Sequence, residues 1–425
     1  MSRKIKNNNR YSLNDFLDSD MAAANGDLFE SFDGSIFDSK KIKVIHQGID
    51  TIKQLYQGLV NREVYNSVEE IYKESSGDCE ISIDGHIWRV GSGRRGGYRY
   101  SLNSRELGVV ILFGSFYLEP IYNGHHLKVE LSPNFILTRT CDEIQFDLDN
   151  LSRVFLTQAQ VTNCAIHICA DVQGWVPPDD LDRKMTTKAR RVYKASGASS
   201  MDFQSHSIAT VYGRGETFTF GGVSSLQFSV YDKSKAVRDK NELDFWEQKW
   251  NLAKDHMLEP IYNPEARVIR LESRFHHSVI KQFAQGSSLD LRSFKQVSKH
   301  LTGLWRYALN SFRLDDSQTY VNPFWQFMRD DLVFYHDAQA IAYKRCFTPE
   351  IKSGAPSDRS VMICFGQLAA IYGRSKFSIQ QAADSLFYSG IYQLLLSLYA
   401  ARGKDELDIH VDLQDKLFKY EDLVA

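Results

Sequence analysis

Residues 226–235 read LQFSVYDKSK, with Leu226, Phe228 and Val230 alternating with Gln227, Ser229 and Tyr231. A period of two marks a β-strand with one buried and one polar face. Tyr231 therefore falls on the polar face, and Lys233 follows on the same side. Outward from this segment the chain has the same texture: GVVILFGSF (108–116), HLKVELSP (126–133), NCAIHICADV (163–172), TFTFGG (217–222) and ARVIRLESRF (266–275) all predict strands. KVIHQGIDTIKQLYQG (43–58) predicts an opening strand, SVEEIYKES (67–75) a helix, and CEISIDGHIWRV (79–90) a hairpin turning at Asp84-Gly85. ELDFWEQKWNLAKDHM (242–257) predicts a helix. Strands that mostly follow one another, rather than alternating with helices, indicate an α+β fold with a largely antiparallel sheet.

Beyond residue 285 the pattern turns helical, in 293–312, 322–345 and 378–402, with a Gly/Pro/Ser loop at 352–360. Three regions are expected: a flexible polar leader over 1–40, an α+β domain over 41–285, and a helical C-terminal domain over 286–425 that binds DNA or a partner. The length of 425 residues fits two to three domains. No apolar run suits a membrane span, and the basic start lacks the apolar stretch of a secretory signal, so a cytosolic protein is expected. Six cysteines without a CxxC pair argue for reduced thiols. A net charge of −2 does not announce a nucleic-acid binder, so any such case rests on local clusters.

Four segments carry candidate chemistry. Tyr231 beside Lys233 suits a nucleophile, because a phenol needs a neighbouring cation, base or metal to attack near neutrality; the plainer reading is a surface tyrosine at a strand end. In ARVIRLESR, Arg270, Glu272 and Arg274 share one face, either as a self-compensating surface or as a floor where Glu272 holds a metal and the arginines hold phosphate oxygens. His167 and Asp171 share a strand face and suit one hard-cation site, although a strand histidine is more often structural. Basic residues cluster in RKMTTKARRVYK (183–194), with Lys188, Arg190, Arg191 and Lys194, and in GSGRRGGYR (91–99), with Arg94, Arg95 and Arg99 beside Tyr98. Arginine, glycine and aromatic residues together suit contact with a nucleic-acid backbone and stacked bases. No GxxxxGK[ST] loop is present, so ATP hydrolysis is unsupported.

VYGRGETFTFGGVSSLQFSVYDKSKAVRDKNE, followed by RVIRLESRF, resembles the replication initiators of filamentous bacteriophages and the related trans-acting Rep proteins of rolling-circle plasmids. The matching positions are Gly215, Thr217 and Gly221; Tyr231, Asp232 and Lys233; and Arg270 and Glu272. The family's acidic pair on an upstream strand corresponds to His167 and Asp171, with imidazole replacing the first carboxylate. The first strand, with Asp50, and HLKVELSP also resemble family strands, so the likeness covers roughly residues 45–285.

The resemblance implies an endonuclease that nicks one strand of circular duplex DNA at an origin and later rejoins it. Tyr231 would form a 5′-phosphotyrosine link and free a 3′-OH. A magnesium or manganese ion would be held by Asp171, Glu272 and His167, while Lys233, Arg270 and Arg274 would favour the tyrosinate and grip phosphate oxygens. Origin DNA, a host polymerase and a helicase would be partners in the host cytoplasm, with no membrane and room for a homodimer. A non-catalytic, sequence-specific DNA-binding regulator is the competing expectation, with residues 361–401 supplying a helix-turn-helix-like pair.

Overall fold

The opening segment forms one strand, Lys43–Val60, in the computed structural model of the chain. The structure describes residues 28–30, 36–74, 79–92, 97–187, 192–195, 217–255, 257–316, 321–334, 343–346, 358–401 and 403–421. In chain order the strands are β1 (Leu28–Glu30), β2 (Ile36–Asp38), β3 (Lys43–Val60), β4 (Cys79–Ile83), β5 (His86–Ser92), β6 (Tyr98–Ser104), β7 (Val109–Ser115) and β8 (Gly124–Leu131). They continue as β9 (Leu156–Gln173), β10 (Met185–Thr187), β11 (Val192–Ala195), β12 (Thr217–Phe220), β13 (Leu226–Asp232), β14 (Ile269–Phe275) and β15 (Phe312–Leu314). Eleven of these make one sheet in the order β11-β12-β13-β14-β9-β3-β8-β7-β6-β5-β4, antiparallel throughout. The fold is α+β, as its consecutive strands predict. Asp84 and Gly85 both take positive φ, 52° and 75°, which is the turn geometry that matches the twist of a two-residue hairpin.

The helices of the same unit are α1 (Arg62–Glu74), α2 (Pro133–Ile136), α3 (Cys141–Phe155), α4 (Leu181–Lys184), α5 (Lys233–Asp239), α6 (Leu243–Trp250), α7 (His277–Ser287), α8 (Phe294–Val297), α9 (Leu301–Ser311) and α10 (Pro323–Asp330). The apolar sheet face, including Ile52, Val129, Ile166, Ile168, Phe228 and Leu271, shares one core with Leu148 of α3, Ile280 of α7, Leu304 and Trp305 of α9 and Trp325 of α10. Burying such side chains is the main stabilising contribution, about 1.5–3 kcal/mol each. The smaller patch of Ile45, Val237, Trp246, Trp250 and Val268 lies where α5 and α6 join the strands.

Three expectations are corrected. The domain boundary lies at Cys346/Phe347 rather than at 285, because α8, α9 and α10 complete the core of the sheet. Within the supposed leader, β1 pairs with β2 and Phe37 packs edge-on against Phe324 at 6.4 Å, since apolar residues interrupt its polar run; 1–27 and 31–35 lie outside the described residues. The single helix expected over 322–345 ends at Asp330 as α10.

The second unit, Phe347–Ala425, contains α11 (Asp358–Arg374), α12 (Ile379–Phe387), α13 (Tyr392–Ala400) and α14 (Glu406–Glu421) around its own core of Phe365, Leu386, Leu395 and Leu413. Ser389 and Gly390 split the one apolar stripe of 378–402 into α12 and α13. Among the described residues no helix is long and apolar enough to cross a membrane.

Gly221 turns β12 toward β13 at φ +90°, where an added Cβ would sit 2.3 Å from the carbonyl oxygen of Leu226. Gly221→Ala should therefore cost about 1–3 kcal/mol, read as a lower urea midpoint; an unchanged midpoint would contradict the strain assigned to this turn.

Candidate active site

The register of four neighbouring strands sets the candidate site out as a grid on the face opposite the main core. One row runs Tyr231, Arg270, Asp171, His46 across β13, β14, β9 and β3. The next runs Ser229, Glu272, Cys169, Gly48, and the third runs Gln227, Arg274, His167, Thr51. Small residues at Ser229, Cys169 and Gly48 leave the middle row low, with larger polar side chains around it.

A β-bulge adds one more group. Register slips between Ile49 and Thr51, so Ile49 and Ile52 both face the main core while Asp50 and Thr51 turn to the polar side. Thr51 Oγ1 donates to Asp50 at 2.9 Å. One ligand atom from each of Asp50, His167 and Glu272 lies within 4.8 Å of the others. Two carboxylates and an imidazole suit a divalent cation such as magnesium or manganese. Asp50 is the site residue that strand periodicity missed. Its signal was the three-residue step between the buried Ile49 and Ile52, which a strict period of two does not allow.

The Tyr231 hydroxyl donates to Glu272 Oε2 at 3.1 Å. Arg274 grips Glu272 through both oxygens, at 2.7 and 3.0 Å, and His167 Nδ1 lies 3.2 Å from Oε1. Burial alone would raise the carboxyl of Glu272, yet Arg274 and His167 hold it well below the usual carboxylate range. Burial, and then the Glu272 charge, push the Tyr231 phenol well above its ordinary value. The resting side chain is thus a neutral phenol donating to a carboxylate: Arg270 and Arg274 do favour the tyrosinate, as expected, but burial and the Glu272 charge outweigh them.

Asp171 is placed differently from its expected role as a ligand. It is fully buried, and its oxygens accept from Arg270 at 2.6 and 2.7 Å and from Trp250 Nε1 at 2.9 Å. Those contacts leave Asp50 in its place beside His167 and Glu272. Arg270 also reaches Asp50, and its guanidinium lies 4.3 Å from the centre of the Trp246 ring. It is a buried clamp between two carboxylates rather than an open phosphate grip. In this conformation both candidate carboxylate ligands are arginine-paired, Asp50 with Arg270 and Glu272 with Arg274.

Lys233 is the first residue of α5 rather than part of the strand. Asp232 caps that helix by accepting from Lys235 N at 3.0 Å. The Lys233 ammonium sits 4.2 Å from the centre of the Trp246 ring, and burial, followed by the Arg270 charge, lowers its pKa to about 8. The indoles Trp246 and Trp250 are buried, one helical turn apart on α6, and roof the Arg270–Asp171 pair.

The proposed DNA contacts divide. Arg99 donates to Ser115 O, Tyr65 and Glu119 at 3.0, 3.2 and 3.3 Å, a structural engagement that corrects its expected role as an open backbone contact. Tyr98 is buried and unavailable for stacking. Arg94, Arg95, Lys188, Arg190 and Arg191, with Gly215, lie outside the described residues, and Lys194 is placed only as part of β11.

No family profile matches the chain. The uncharacterized protein ORF430 of Pseudomonas phage Pf1 is 30% identical over 409 residues, covering 91% of this chain and 93% of the relative. Likeness of that extent takes in both structural units, and the chain belongs to the family of this phage protein.

Proposed function

We propose that the protein is a rolling-circle replication initiator of phage type, which nicks one strand of circular duplex DNA through Tyr231 and later rejoins it. The observation that carries this reading is the Tyr231 hydroxyl, 3.1 Å from a buried glutamate that also belongs to a metal-competent Asp50–His167–Glu272 group. Kinship with a protein of a filamentous phage supports it.

Attack by the phenolic oxygen on phosphorus needs a proton acceptor, and Glu272 is already in hydrogen-bond reach of that proton. Arg274, once off Glu272, has the planar fork suited to phosphate oxygens. Lys233 supplies a further positive charge beside the nucleophile's strand. A divalent cation held by Asp50, His167 and Glu272 would polarise the phosphate as a Lewis acid. The phosphotyrosine bond conserves the energy of the broken phosphodiester, so rejoining requires no nucleotide hydrolysis.

The test is incubation with supercoiled phage replicative-form DNA and manganese or magnesium, resolved on a denaturing gel. A nicked circle carrying covalently bound protein, abolished by chelator, is expected; mobility shift without cleavage would sink the reading. Because protonated Lys233 is the useful form and its pKa is lowered to about 8, nicking should decline as pH rises through about 8. Lys233→Arg should remove that decline; a variant with the same alkaline limb would exclude Lys233 as its source.

The competing regulator reading places its pair within residues 361–401, where α11, α12 and α13 follow one another through short turns. Arg374 ends α11 and Lys376 lies in the turn before α12, while α12 and α13 contain no lysine or arginine.

A further inference from the structure

The second unit carries a helix that is apolar on two sides. In α14, Ile409, Leu413 and Leu417 recur at every fourth residue and lie in the unit's own core. The outward side carries another stripe. Leu407, Val411 and Phe418 are 71%, 54% and 51% exposed, and Gln414 between them is exposed as well. Single exposed apolar residues are ordinary. These four positions, however, advance by four, three and four residues, the spacing at which two helices pack knobs into holes along a seam. A helix with one buried stripe needs no second one in order to fold, so the outer stripe calls for a partner that covers it.

The stripe also identifies that partner. An unrelated apolar surface would bury the Gln414 amide without a hydrogen-bond partner, which is destabilising. On a two-fold axis a residue meets its own copy, and a carboxamide both donates and accepts, so two Gln414 side chains satisfy each other. The flanking residues select the direction. With Leu407 and Gln414 at d positions and Val411 and Phe418 at a positions, parallel helices set His410 of each chain against Asp415 of the other, donor to acceptor. Antiparallel helices would set Asp408 against Asp415, two like charges. We infer that α14 is a homodimerisation face, through which two copies of this chain pair as a short parallel coiled coil. Residues 407–418 span roughly 18 Å of helix, and so short a seam buries less than the about 1,200 Å² or more of a permanent dimer. The dimer is therefore weak and concentration-dependent, with a dissociation constant on the order of 1 to 100 μM. It stands apart from the nicking reading, whose residues all lie in the first unit.

Sedimentation velocity of the full chain, from about 1 to about 300 μM, brackets that range. Wild type should shift from monomer to dimer as concentration rises. Val411→Glu/Phe418→Glu should weaken association about tenfold or more. The same variant should keep the wild-type thermal melt, because both side chains are exposed. Asp415→Lys should weaken association too; tighter association in that variant would show antiparallel pairing and overturn the parallel seam. Direction is read independently from Gln414→Cys under mild oxidation, because a disulfide forms only between residues whose Cα atoms lie within about 7 Å. Parallel pairing brings the substituted position against itself and should give a disulfide-linked dimer. Wild type, which carries the exposed Cys364, is the control and should give no such product. A chain that stays monomeric at every concentration, or a dimer indifferent to Val411→Glu/Phe418→Glu, would overturn the assignment.

Discussion

Tyr231→Phe is expected to lower strand scission by at least about ten-thousand-fold and to abolish the covalent protein–DNA product. The size of the effect follows from chemistry: with the nucleophilic oxygen gone, no other group takes its place on the grid. Ser229 is one position along the same strand face and carries a hydroxyl, but it is paired with Thr219 at 3.1 Å rather than with Glu272. The substitution should leave the fold intact, because the ring keeps its packing against Ala236 and the hydroxyl makes one bond. Glu272 retains both of its bonds from Arg274. Single-turnover nicking on a denaturing gel, alongside a urea melt, separates the two effects. Cleavage at near wild-type rate would remove Tyr231 from the chemistry; loss of both cleavage and stability would show that its role is structural.

The largest stability effect is expected at Arg270. Its side chain is entirely buried, and it neutralises Asp171 through two bonds and Asp50 through a third. Removing one partner of a buried pair leaves the other charge without compensation, a loss of about 3–5 kcal/mol. Arg270→Met should therefore lower the urea midpoint sharply, and adding Asp171→Asn should recover most of the loss by removing the stranded charge. The pH dependence has a defined sign. Burial tends to raise Asp171, but Arg270 outweighs it and holds the carboxyl below its ordinary value. The stabilising contribution is thus complete above the ordinary aspartate pKa of about 4 and is lost as pH falls through the folded value. Arg270→Met with unchanged stability at neutral pH would show that the Arg270–Asp171 clamp contributes little to the fold.

Much of this arrangement was legible in the sequence because strand periodicity is a local signal. The alternation in 226–232 and 269–275 put Tyr231, Arg270, Glu272 and Arg274 on polar faces, and the register of β13 with β14 brings those faces together. Periodicity assigns faces but not partners. Asp171 shares a strand face with His167, yet Trp250, which arrives from a helix 79 positions further along the chain, directs it to Arg270. Asp50 was hidden for a related reason: a bulge breaks the period of two that the reading relies on. The boundary placed at 285 failed because amphipathic helices look alike whether they cover a sheet or build a separate unit. Only the packing of Phe294, Leu304 and Trp325 into the sheet's core distinguishes α8–α10 from α11–α14.

The nicking account depends on an oxygen–phosphorus bond at a single residue. After reaction with circular DNA and manganese, nuclease trimming and proteolysis, mass spectrometry of the peptide spanning 226–235 tests it directly. The predicted result is a nucleotide 5′-phosphate attached to Tyr231. A nicked product whose nucleotide is attached to another residue, or to none, would contradict the account.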